Sequence, residues 1–158
     1  MSVLSVFQWC ENTGIGSAIR ASPWLFPVIE AAHLAGLAFI GGAVLVVDLR
    51  LLGLGLREQP VARVARAVQP WMTGSLVVMI VTGVLLFLSE AVKCYNSFAF
   101  WVKITSLGLA IVFAYTIRRR VATADPARVG PIWIKVVGAT SILLWAGVAW
   151  GGRWIGFS

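Results

Sequence analysis

Apolar residues run along the chain in four long blocks, separated by shorter stretches rich in arginine, glycine and proline. The blocks cover residues 24–47, 71–88, 98–117 and 133–150, and none alternates apolar with polar positions as a barrel strand would. Each approaches the roughly 20 helical residues that cross about 30 Å of hydrocarbon. The pattern predicts an all-α fold, an integral membrane four-helix bundle, as a single transmembrane domain over residues 1–158. Helix-start signals agree with it. Ser22 followed by Pro23 suits a cap with proline in the first turn, and Pro70 and Pro131 open the second and fourth blocks in the same way. Pro27 is expected either to kink the first helix or to mark a later start.

Two shorter stretches carry a helical apolar stripe. Residues 60–69 set Val61, Val64, Ala65 and Val68 against Arg63 and Arg66, the pattern of a short interfacial helix with arginines near anionic lipid. Residues 2–11 predict a second interfacial helix, with Val3, Leu4 and Phe7 facing lipid or protein. The openings "QPWMTGS" and "GPIWIKVVGATS" are faintly alike, a weak sign of duplicated hairpins.

Composition agrees with the blocks: 59% of the 158 residues are hydrophobic and 12% charged, with a mean hydropathy of +0.90. Too little polar surface remains for a soluble domain. The net charge of +7 would fit nucleic acid only if the basic residues formed their own patch. They flank apolar runs instead, so the expected partner is the lipid bilayer and not nucleic acid. Arg50, Arg57, Arg63 and Arg66 lie in the first loop, and Arg118, Arg119, Arg120 and Arg128 in the third. The opposite side has Arg20, Lys93, Lys103 and Arg153. By the positive-inside rule the arginine-rich loops are cytoplasmic and both termini periplasmic, in a bacterial inner membrane. Tryptophans 24, 101, 150 and 154 would mark the outer interface, and 71 and 133 the inner one. With no Lys or Arg before Arg20 and Glu11 already in place, residues 1–20 do not read as a signal peptide and are expected to stay on the protein.

Against this background Glu30 and His33 stand out. They lie three residues apart on one helical face inside "PVIEAAHLAGLAFIGG", and His33 is the only histidine. Nine residues beyond Trp24, His33 sits about 13 Å into the helix, near mid-membrane, with Glu30 one turn shallower. Ionisable side chains at such depth are costly and point to function. One reading is structural: each is hydrogen-bonded to Thr82, Thr105, Ser106, Thr140 or Ser141. Another makes His33 the axial ligand of haem b, with Met79 at nearly the same depth as a thioether sixth ligand. There Glu30 would hold the imidazole or face the cofactor edge. Gly36, Gly41, Gly42 and Gly83 would admit the macrocycle, and Lys103, Arg153 and Arg20 would meet its propionates. His33 with Met79 could equally hold copper. A third reading uses Glu30 and His33 for proton or cation transport, with Asp48 about 22 Å away near the exit. A cofactor-free accessory subunit is the remaining alternative.

The other charges have plainer expectations. Lys103 would snorkel to the outer interface and Lys135 to the inner one. Asp48 and Arg50, in "VVDLRLLG", would form an inter-helix salt bridge or anchor a loop. Cys10 and Cys94 both fall on the outer side, where a disulfide is one possibility and two free thiols the other. Ala31, Ala35, Ala38 and Gly42 form a stripe of small residues, and Gly147 and Gly151 another. Either stripe would serve the bundle or a homo-oligomer.

The run "WLFPVIEAAHLAGLAFIGGAVLVVDLRLLGLG", with "VQPWMTGSLVVMIVTGVLLFLSEA" after it, resembles a family of small four-helix bacterial inner-membrane proteins of unknown function. The resemblance spans most of the chain, places His33, Asp48 and Arg50 on its recurring pattern, and implies no activity. A histidine before a glycine-containing turn is also loosely similar to the copper-resistance D and membrane cytochrome b families. This chain lacks the further histidines of those cytochromes. No nucleophile–base pair, phosphate loop or dinucleotide motif is present, which argues for an electron-transfer or binding protein rather than an enzyme. The working expectation is a haem b protein for electron transfer or redox sensing, homo-oligomeric, with a redox partner in or near the membrane.

Overall fold

A computed structural model describes residues 2–56, 58–124 and 128–156. Among them the chain is helical: α1 (Val3–Glu11), α2 (Gly14–Ala21), α3 (Leu25–Leu52), α4 (Val61–Ser89), α5 (Ala91–Asn96), α6 (Phe98–Phe113), a π-helical turn (Ala114–Arg118), α7 (Arg119–Thr123) and α8 (Pro131–Ile155). Four helices are long and apolar enough to cross a membrane: α3, α4, the continuous run Phe98–Thr123, and α8. They correspond to the four apolar blocks. Ser22 Oγ accepts from Leu25 N at 3.3 Å, but the cap position is Trp24, which makes no side-chain cap bond. The helix therefore starts later than Ser22-Pro23 suggests, and Pro27 falls in its first turn. The same helix stops at Gly53, whose φ of 78° only glycine adopts without penalty. Arg57, one of the loop arginines, lies outside the described residues.

Three contacts arrange the bundle: α3 packs on α4 and on α8, and α8 packs on α6. Glycines allow the close approaches. A Cβ at Gly138 of α8 would come within 3.1 Å of Asp48 O on α3. Gly147 and Gly151 face Ser106 and the Ala99–Lys103 turn of α6. That second small-residue stripe therefore serves the bundle. Ala31, Ala35, Ala38 and Gly42 are exposed and take no part in it. The core between the helices is apolar, built on Ile40, Val44, Leu76, Met79, Ala110 and Val148.

The segment 60–69 is not a separate interfacial helix. It forms the first turns of α4, which runs through Pro70 without interruption. A proline costs an interior helix one backbone bond, and here packing offsets it. Val64 is buried in a cluster with Val47, Leu51, Ala122 and Val137, so the apolar stripe faces protein rather than lipid.

At the opposite end the N-terminal helices cap the bundle. Helix α1 forms where the sequence pattern predicts it, and Phe7 faces protein, edge-on to Phe87, Tyr95 and Phe100. Helix α2 is an element that the apolar pattern does not predict. Thr13 caps it, and Gly16 lies so close to Leu88 O that no side chain fits there. Arg20 donates to Ser89 O at 2.9 Å and to Glu11 O at 2.8 Å, and Glu11 Oε2 accepts from Val92 N at 2.6 Å. One arginine and one glutamate thus tie α1 and α2 to the α4–α5 corner.

Candidate functional site: two buried polar centres

Each half of the bundle encloses one polar cluster. The first is built on His33 of α3, which is 8% exposed. Its Nδ1 lies 2.9 Å from Thr82 Oγ1 on α4, and its Nε2 lies 3.4 Å from Lys103 Nζ on α6. The Thr82 hydroxyl donates to Val78 O at 2.6 Å. Having spent its proton there, it can only accept from the imidazole. Nδ1 therefore carries the ring hydrogen, and the Nε2 lone pair accepts from the lysine ammonium. Both ring nitrogens are satisfied by protein.

Glycines again make room. A Cβ at Gly83 would sit 3.3 Å from His33 Cε1, and one at Gly36 would sit 3.0 Å from Met79 Cγ. On α8, Gly151 and Gly152 form the trough along which Lys103 runs. Lys103 consequently turns into the bundle instead of snorkelling outward. No carboxylate pairs with it among the described residues.

The residues proposed from sequence are distributed unevenly. His33, Met79, Gly36 and Lys103 do come together on α3, α4 and α6. Glu30 is exposed and turned away from the cluster. Arg20 is engaged in the N-terminal cap, and Arg153 is an exposed residue of the last turn of α8. Of the hydroxyls offered as partners, Thr82 is the one bonded to His33. Haem ligation through this imidazole would require Lys103 to give up Nε2. Lys103 holds the Nε2 lone pair, and the spaces at Gly36 and Gly83 are filled by Met79 and by the ring itself. Among the described residues no group of three or more His, Cys, Asp or Glu side chains is placed to hold a metal ion.

The second centre joins Asp48, fully buried on α3, to Arg118 at the end of the π turn. Arg118 Nε donates to Asp48 Oδ1 at 2.6 Å and Nη2 to Val44 O at 3.1 Å, while Nη1 lies 3.6 Å from Met72 Sδ. The inter-helix bridge expected for Asp48 is present, with a partner whose place in the sequence reads as loop. Arg50 takes the other expected role and anchors the loop through Gln59 O at 2.7 Å. Ser141 Oγ is buried beside the Asp48 carboxylate, although it and Asp48 Oδ2 fall just outside hydrogen-bond geometry.

Cys10 and Cys94 are free thiols on α1 and α5, two helices that pack together. Burial, reinforced by the nearby Glu90 carboxylate, pushes the Cys94 thiol up to about 11.

Four apolar spans around two enclosed polar centres define a multi-pass helical membrane protein. The chain belongs to a family of unknown function, DUF6644, which it matches over residues 6–158. No curated protein and no solved structure matches it.

Proposed function

We propose that the protein is a proton-responsive component of the bacterial inner membrane whose working centre is the Lys103–His33–Thr82 chain. Its arginine-rich loops would face the cytoplasm and its termini the periplasm. The observation that carries this reading is the ammonium-to-imidazole contact at 3.4 Å, with the imidazole fixed in one tautomer by Thr82. An ammonium and a neutral imidazole in contact share one exchangeable proton, and no carboxylate among the described residues neutralises it. Proton occupancy there changes the charge of the bundle core, a change to which helix packing responds. The positive-inside bias supports the orientation. The outward stripe of Ala31, Ala35, Ala38 and Gly42 is the seam available to a homo-oligomer.

The test is 15N NMR of His33 in lipid nanodiscs. We expect a neutral Nδ1–H imidazole at pH 7, with the Nε2 resonance displaced by Lys103→Met. In proteoliposomes, acidifying the face that carries the termini should alter the His33 signal, and acidifying the arginine face alone should not. An Nε2 resonance indifferent to Lys103→Met would sink the proposal.

One observation favours a second reading, a haem b or copper site for electron transfer or redox sensing. The Met79 side chain packs on Gly36, one turn along α3 from His33, so both candidate ligands lie at one level of the α3–α4 interface. It requires Lys103 to leave Nε2 and the packing at Gly36 and Gly83 to open. A Soret band in the purified protein, lost in His33→Ala, would favour it over the proton-responsive centre.

A further inference from the structure

Between α4 and α7, on the arginine face, lies a cavity of about 180 Å³. Arg66, Gln69, Arg118, Arg119 and Thr123 supply its polar lining, over an apolar floor that includes Val68. Its charge is unbalanced. Arg118 is committed to Asp48, and no carboxylate is among the residues that line the cavity. Arg66 and Arg119 have neither an ion pair nor a side-chain hydrogen bond among the described residues, and both are exposed. The chain could have turned these side chains outward to separate them. Instead α4 continues unbroken below Pro70, and the π turn redirects α7, so that two unpartnered guanidinium groups and the rim of a third line one opening.

We infer that this opening binds the phosphate of an anionic phospholipid headgroup. A guanidinium presents a planar fork of donors that matches phosphate oxygens in pairs. The depth fits a headgroup: Arg66 lies five residues before Trp71, an exposed tryptophan of the kind that marks a membrane interface. The composition fits as well, since basic pockets between spans at this level receive anionic headgroups. An apolar floor beneath the arginines suits the ester and first methylenes of a lipid better than a freely hydrated ion. The occupant is therefore a lipid, and its charge would bridge α4 to α7 where no described carboxylate does so.

Native mass spectrometry of the intact protein, released from vesicles of phosphatidylcholine with phosphatidylglycerol, tests this. One phosphatidylglycerol should remain bound in preference to phosphatidylcholine. R66Q/R119Q should weaken that retention about 25-fold, taking roughly fivefold for each arginine near an anionic surface. The pair R63Q/R120Q removes the same charge from exposed arginines outside the cavity and should retain the lipid. Equal loss in both pairs would reduce the effect to general surface charge and overturn the assignment. Retention unchanged in R66Q/R119Q would overturn it too, as would displacement of the lipid by millimolar inorganic phosphate. Lipid-free unfolding in detergent should be the same for all variants, because none of the four side chains is buried.

Discussion

At the scale of single residues the imidazole of His33 has two partners of unequal legibility. Thr82 stands among the hydroxyls that the sequence offers, because a threonine one span away at similar depth is a natural acceptor. Lys103 reads in sequence as a snorkelling side chain, since its distance from Trp101 is all that a sequence shows. What turns it inward is the trough at Gly151 and Gly152 on another helix, a tertiary feature with no local signature. Thr82→Val separates the two contacts. It keeps the shape and removes one acceptor, leaving the Met79 carbonyl beside the ring, at a cost of about 1 kcal/mol. Reversible unfolding in mixed micelles should show that loss. The Nε2 contact with Lys103 should survive it. Cys94 gives a second residue-scale expectation. With its thiol pushed up to about 11 by burial, the thiolate fraction at pH 8 is on the order of one in a thousand and rises tenfold per pH unit. Native protein should therefore alkylate very slowly at Cys94 at pH 8, and denaturation should abolish the protection. Linked Cys10 and Cys94 peptides under non-reducing conditions would instead reveal the disulfide.

At the scale of elements, the third span shows how a helix can be located from sequence and still be misjudged at its end. Its apolar block stops at residue 117, so Arg118 reads as the first loop residue. The helix in fact continues to Thr123, and five residues of π geometry intervene. A π turn inserts one residue into the helical register and re-aims every side chain beyond it. Here it carries Arg118 into the bundle onto Asp48. Hydrophobic periodicity cannot signal this, because the block is apolar on every side. Deleting Thr116 removes the extra residue, and because four α residues advance about as far around the axis as five π residues, Arg118 should keep its aim and the bridge should survive. Asp48→Asn breaks the bridge instead, a loss that reversible unfolding in mixed micelles should register. Removing one partner of a buried pair leaves the other charge uncompensated and costs roughly 3–5 kcal/mol. Replacing both, as in Asp48→Asn with Arg118→Gln, should cost less than either change alone. The start of α4 makes the complementary point. Its amphipathic stripe is legible in the sequence, but whether lipid or protein covers such a stripe depends on Val47 and Ala122, which only the fold brings near.

On the scale of the whole molecule, the two polar centres are held apart by the apolar core. His33 and Asp48 lie fifteen residues apart on α3, about 22 Å at 1.5 Å per residue. The layer between them is built from Ile40, Val44, Leu76, Met79, Ala110 and Val148, with no polar side chain bridging the gap along α3. An ion or proton held at His33 therefore has an electrostatic barrier beneath it, since dry hydrocarbon-like packing gives charge nothing to bond to. Such a molecule suits one-sided proton binding better than conduction. Proteoliposomes loaded with the protein should hold an imposed pH gradient as long as empty vesicles do. Glu30→Gln should change nothing, because that side chain faces away from the bundle. A polar group placed inside the layer is the informative perturbation. Val44 is 1% exposed and sits one turn from Asp48, so Val44→Asp should bring water into the layer and raise proton leak, measured by a trapped pH dye. A leak already present in the unmodified protein, and removed by His33→Ala, would instead make the two centres ends of one pathway.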